Sequence, residues 1–195
     1  DGDDEKHGYF KRRQHVQKII LNSLYGVLGL PVFRFYDIDN AEATTLTGQE
    51  LIKFTEKIAN SYYNKKLNDK EDYCIYTDTD SVFYSAVPLV EHRFPDSDMS
   101  DVMMTQRIND IATEVQVFLN ETYDYFAQKF CNLDEHRFES KQEIVAKSGL
   151  FIVKKRYGMK VISDNGVHSC LVKGAKLSNC TPRGKNANIF IQLNI

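Results

Sequence analysis

No apolar run in this sequence approaches the ~18 residues that a membrane-crossing helix needs, so no spanning segment is expected. Cysteine is scarce, and Cys74, Cys131, Cys170 and Cys180 stand far apart without a CxxC pair. That spacing excludes a zinc ribbon and a dense disulfide scaffold, and it points to a reducing compartment. Internal repeats and low-complexity tracts are missing too. The opening DGDDEKHG is acidic and polar, unlike a secretory signal, so the expectation is a protein that is not secreted. A formal net charge of −2 excludes a uniformly basic chain. It does not exclude a nucleic-acid binder, because the charge is unevenly spread.

What is present is enough for a core. The chain has 195 residues, 42% of them hydrophobic and 12% aromatic, which suits one large domain. Residues 144–185 carry nine Lys/Arg against the single acid Asp164. A second basic cluster, Lys6, Lys11, Arg12, Arg13 and Lys18, follows the acidic start. Surfaces of that kind steer polyanions, although solvated surface charge accounts for such clusters equally well. Residues 89–143 carry twelve acids against five bases, a balance that faces away from nucleic acid.

Apolar spacing predicts a helix over 9–28, stopped by Pro31, and then a short extended VFRFY at 32–36. A second helix is expected over about 41–66, capped by Asp39 or Asn40, with a face through Leu46, Leu51, Phe54, Ile58 and Tyr62. Residues 72–87 read as a hairpin with Asp78-Thr79-Asp80-Ser81 at its junction. EHRFPDSDMS reads as a connector, and a third helix is expected over about 100–130. Strands follow near 138–146, 150–154, 157–162 and 168–173, with turns at Ser148-Gly149 and Asp164-Asn165-Gly166. Long helices packed on an antiparallel sheet make an α+β domain. The tail, 178–195, reads either as an edge strand or as the start of a further domain.

Three motifs carry chemistry. In YTDTDS, 76–81, Asp78 and Asp80 are close enough to repel unless a cation lies between them. Oxygen-only ligands suit Mg²⁺, which keeps waters and substrate phosphates as its other ligands. A turn whose acids merely bond the local backbone is the bland alternative. In KIILNSLYG, 18–26, Lys18, Asn22 and Tyr25 share one helix face, a cation, an amide and a phenol beside Gly26. Such a face suits a phosphate and a flat base, or is simply solvated. In KKRY, 154–157, three adjacent cations end a strand, with Lys154 and Arg156 expected on one side and Lys155 on the other. An anion would relieve their repulsion; protection of an edge strand is the competing reading.

In order, KxxxNSxYG, YxDTDS and KKRY resemble the family B DNA polymerases, over about residues 9–177. LNSLYGVLG and FRFYD look closest to viral and phage replicative enzymes. The resemblance implies a fingers helix leading into the palm over 1–35, a palm-type antiparallel sheet with long helices over 36–177, and a truncated thumb or disordered tail over 178–195. It implies a catalytic, metal-ligating Asp80 with Asp78 as a lesser ligand, and matches Glu143 to a palm glutamate near the metals. Lys18 would hold the nucleotide triphosphate, Asn22 would support it, Tyr25 would lie under the nascent base pair and Gly26 along the template backbone. Lys154, Lys155, Arg156 and Tyr157 would grip the primer end. The implied cofactor is two Mg²⁺ ions; the implied partners are primer-template DNA and dNTP, with no membrane. The implied place is the cytoplasm of a bacterial or virus-infected cell.

The chain also departs from the family pattern. It contains no DxxSLYP-type motif, which carries the family's other metal aspartate, and neither the exonuclease acids nor a thumb. The expectation is a segment that needs the remaining polymerase parts and is inactive alone. The alternative is a non-catalytic DNA-binding or assembly module. A cyclase-like palm also places two acids on a hairpin, but KxxxNSxYG and KKRY count against it.

Overall fold

A computed structural model describes residues 2–95, 101–153, 155–164, 167–174 and 190–194. Two compact units emerge, Asp1–Gly48 and Gln49–Ile195. The elements in chain order are α1 (Gly2–Leu28), α2 (Ile38–Leu67), β1 (Cys74–Asp78), β2 (Ser81–Ser85), α3 (Val87–Arg93), α4 (Asp101–Phe126) and a π-helical turn (Ala127–Cys131). The strands β3 (Lys141–Val153), β4 (Arg156–Asp164), β5 (Val167–Gly174) and β6 (Phe190–Asn194) complete the chain. The architecture is α+β, as the hydrophobic pattern implies.

In the first unit α1 ends at Leu28, just before Gly29 and Pro31. The segment 32–36 is not extended. It coils through turns in which Phe33 N–H donates to Leu30 O and Tyr36 N–H to Phe33 O. The cap of α2 is Asp37, two residues before the expected site: its carboxylate accepts the Asn40 N–H over 3.0 Å.

In the second unit, the buried stripe of α2 is Leu51, Thr55, Ala59 and Tyr63, at strict four-residue spacing. The expected face through Phe54, Ile58 and Tyr62 lies one residue round and is half-buried, and Leu46, in the first unit, is exposed. Thr55 holds its place in the core by bonding its hydroxyl to that of Tyr123 over 2.9 Å, since a buried hydroxyl without a partner is costly. α4 matches its pattern better: Ile108, Ile111, Val115, Leu119, Tyr123 and Phe126 are all buried. Of the other residues in the expected stripe, Phe118 is half-buried and Val102 is 67% exposed.

The sheet has six strands in the order β1-β2-β6-β3-β4-β5, every pair antiparallel. Successive strand residues face opposite sides, and the two sides differ. Val82, Tyr84, Val145, Ile191 and Leu193 pack with buried residues of α2, α3 and α4. Phe83, Ile144, Ala146, Met159 and Val161 form a separate cluster, joined by Tyr76, Phe151 and Tyr157. Tyr76 of YTDTDS and Tyr157 of KKRY lie on that second side.

Several boundaries differ from the expectation. β3 runs unbroken through Ser148 and Gly149, which pair with Lys160 and Met159 instead of turning. Small polar residues read as a turn, but the long partner β4 satisfies their backbone. Residues 138–140 precede the strand. Asn165 and Gly166, the other expected turn, lie outside the described residues. Val87–Arg93 is helical where strand and connector were expected, and its second residue is Pro88, a residue that fits a helix's first turn. β6 sits inside the sheet between β2 and β3, where the sequence left only an edge strand or a further domain open for 178–195.

Candidate functional site

Two hairpin tips build the site. The first joins β1 to β2. Asp78 pairs with Ser81, so Thr79 and Asp80 are the connection. Thr79 has φ 50°, a left-handed backbone that β-branched residues rarely adopt. Asp80 N–H donates to Asp78 O over 2.6 Å, closing a three-residue turn around Thr79. Two short side-chain bonds brace it: Thr79 Oγ1 donates to Asp78 Oδ1 over 3.0 Å, and Ser81 Oγ donates to Asp78 O over 3.1 Å. Asp78 is half-buried and Asp80 exposed. The bland reading of this turn, local backbone bonding, thus accounts for Asp78 in part. It leaves Asp80's carboxylate facing solvent without a described partner.

The second tip joins β3 to β4. Val153 pairs with Arg156, and Lys155 lies in the connection between them. Lys154 itself lies outside the described residues. Lys155 has φ 65° and belongs to a turn, not a strand. The expected strand alternation through KKRY therefore fails at Lys155: the chain reverses there. Lys155 and Arg156 are exposed and Tyr157 is half-buried.

Aromatic rings join the tips. Tyr76, two residues before Asp78 on the same strand face, stacks near Phe83, Phe151 and Tyr157 at centroid distances of 5.7, 5.3 and 5.7 Å. The Lys155 N–H donates to the Tyr76 hydroxyl over 2.8 Å. Burial raises the Tyr157 phenol above its ordinary 10.0, and the carboxylates of Asp78, Asp80 and Glu143 raise it further. The charges of all three sequence-predicted acids thus oppose ionisation of Tyr157.

Glu143 sits at a bulge. Gln142 pairs with Leu193 and Ile144 with Gln192, so Glu143 is the extra residue on β3. Bulges re-aim side chains, commonly beside active sites, and this one bears on Tyr157 from the strand beyond β6. Sequence spacing found Glu143 but had no means of finding the bulge. Gln192, in the middle of the same face between Phe83 and Ile144, was not foreseen. It is 8% exposed, its Oε1 has no partner, and its Nε2 donates to Asn194 over 2.8 Å. A tail read as either an edge strand or the start of a further domain gave no signal for a residue in the middle of the sheet.

Among the described residues no three His, Cys, Asp or Glu side chains group tightly enough to hold a metal ion by themselves. Mg²⁺ asks for less, since one or two carboxylates plus waters and phosphates suffice. The Asp78–Asp80 tip meets that minimum with oxygen donors only.

The remaining predicted residues belong to the first unit. Lys18, Asn22, Tyr25 and Gly26 lie on α1, and all four are exposed. The Tyr25 hydroxyl bonds that of Thr45 on α2, which fixes the ring's tip. A Cβ at Gly26 would meet nothing within 4 Å, so the chain's own packing does not demand glycine there.

Among the described residues no helix is long and apolar enough to cross a membrane. Residues 1–180 match the model of DNA polymerase family B. The DNA-directed DNA polymerase of Enterobacteria phage T4 is 31% identical across 74% of this chain, and that of Escherichia phage RB69 is 30% identical across 74%. The DNA polymerase of Archaeoglobus fulgidus is 39% identical across 36%. The chain spans 17% of the length of each phage relative.

Proposed function

The chain belongs to DNA polymerase family B, and from that premise we propose that it is a fingers-and-palm segment of a DNA-directed DNA polymerase of viral type. The reaction is template-directed transfer of a nucleotide from dNTP to a primer end. The observation that carries this reading is the 2.8 Å bond from the Lys155 N–H at the basic tip to the Tyr76 hydroxyl, on the strand that leads into the acidic tip. Acids beside cations suit a substrate that is both polyanionic and metal-bound.

In this reading the primer 3′-hydroxyl attacks the α-phosphate and pyrophosphate departs in line. Asp80, with Asp78, would hold two Mg²⁺, and Glu143 would face them from the bulge of β3. Bound there, the ions would activate the hydroxyl and stabilise the leaving oxygen. Lys155 and Arg156 neutralise primer phosphates, with Lys154 beside them, and Tyr157 packs under the primer end. Lys18 neutralises the triphosphate, Asn22 supports it, and Tyr25 underlies the new base pair. The open space at Gly26 leaves room for the template backbone to pass close.

The chain lacks the DxxSLYP-type aspartate, so by itself it binds primer-template and extends nothing. The test is purified chain with a primer-template, dNTP and Mg²⁺. Binding without extension is expected, with Lys155→Ala and Arg156→Ala each flattening the plot of log affinity against log salt by about 0.9. Extension above a no-protein control contradicts the segment reading, and wild-type slopes in both variants remove the primer-grip role.

A further inference from the structure

The geometry points to Tyr76 as a positioning residue that locks the basic tip to the acidic one through the backbone of Lys155. This rests on the polymerase reading above, and it assigns a role to a residue outside the three acids and the four-residue basic motif.

Three observations carry it. First, the Lys155 N–H has a single described acceptor, and it is a side chain of another hairpin, 79 residues away in sequence. The bond that closes a four-residue turn runs from the i+3 amide, here Arg156, and leaves the Lys155 N–H free for an outside acceptor, which the Tyr76 hydroxyl supplies. Second, Lys155 has φ 65°. A non-glycine residue stays in that conformation only where its surroundings over-determine it, and the Tyr76 hydroxyl is such a surrounding. Third, Tyr76 cannot swing away: its ring is enclosed by Phe83, Phe151 and Tyr157, all within 5.7 Å between centroids.

The same strand carries the tether and the acid. Tyr76 and Asp78 are two residues apart in β1 and so share a face. Any displacement of the Lys155–Arg156 tip against Asp78 must break the tether or drag β1 along. A primer held by that tip is thereby kept at a set offset from the acids, which is what a displacement reaction needs, since small misplacements of reacting atoms cost rate steeply.

The experiment uses Tyr76→Phe, which removes the hydroxyl and keeps the ring, together with Lys155→Ala and the double variant. Amide hydrogen exchange of the whole chain is read by NMR, and affinity for a primer-template duplex is read across salt concentrations. Tyr76→Phe should speed exchange at Lys155 by about tenfold, the worth of one hydrogen bond, and leave Phe83 and Val161 unchanged. It should weaken duplex binding and flatten the salt slope. In the Lys155→Ala background, which keeps the backbone N–H and so the tether, it should cost less than in the parent, because only Arg156 is left at the tip to be positioned. Unchanged exchange at Lys155, exchange raised throughout the sheet, or additive losses in the double variant would each overturn the assignment. Faster exchange at Lys155 with duplex binding unaltered in all three variants would leave the tether standing and overturn the primer-end reading, and with it the role given to Tyr76.

Discussion

Asp80 donates its backbone N–H to the carbonyl oxygen of Asp78 over 2.6 Å, across a Thr79 whose φ is 50°. The two acids are thus set by a strained turn. A left-handed threonine costs about 1–3 kcal/mol, which asparagine, tolerant of that region, largely avoids. Thr79→Asn should raise stability by about 1 kcal/mol, read as a higher urea midpoint at unchanged slope. A lower midpoint contradicts the strain.

Tyr157 reports on the acids directly. Burial is the larger cause of its raised phenol pKa, and Asp78 is the next. Asp78→Asn should therefore lower the Tyr157 titration while leaving it above the ordinary 10.0. Carbon NMR of ring-labelled tyrosine follows it. An unmoved titration would mean that the phenol and the carboxylate do not face each other.

Arg93 grips Glu114 with two parallel bonds, 2.7 and 2.8 Å, between α3 and α4. The Arg93 bonds hold the Glu114 carboxyl below its ordinary 4.5, and the Tyr62 hydroxyl adds to this. A carboxyl lowered in the folded state contributes stability above its unfolded pKa. That contribution is lost as the pH falls through the lowered value. Glu114→Gln should make unfolding less sensitive to acid below 4.5. Equal acid sensitivity in the variant and the parent contradicts the pairing.

Lys18 lies on an exposed face of α1 in the first unit. In a complete polymerase carrying this segment, Lys18→Ala should raise the apparent Kd for dNTP at least tenfold, about the worth of one charged contact. Primer-template affinity should change little. Equal losses for both ligands would place the helix on the DNA backbone.

The sequence read well where periodicity or motif order is strong. From Ile108 onward α4 buries its stripe, and the β1–β2 hairpin lies where alternation and its polar tetrad place it. It read poorly where tertiary partners decide. Ser148 and Gly149 look like a turn until β4 supplies their hydrogen bonds. Thr55 is satisfied in the core by the Leu51 carbonyl and the Tyr123 hydroxyl, and Phe190–Asn194 becomes a central strand because β2 and β3 pair with its two edges. At the site, residue identities were legible, but the left-handed Thr79 and Lys155, the bulge at Glu143 and the Tyr76 tether were not. Each arises from a contact with a residue distant in sequence or from a backbone state that no composition marks.

The most direct test of the account is single-turnover incorporation by a complete family B polymerase carrying this segment, with Asp80→Asn compared against the parent. The account predicts a rate constant lower by about a hundredfold or more, the scale of losing a main electrostatic partner of the transition state, with primer-template affinity nearly unchanged. Asp78→Asn should cost less. A near-normal rate in the Asp80→Asn enzyme would contradict the assignment of this hairpin as the metal-holding tip.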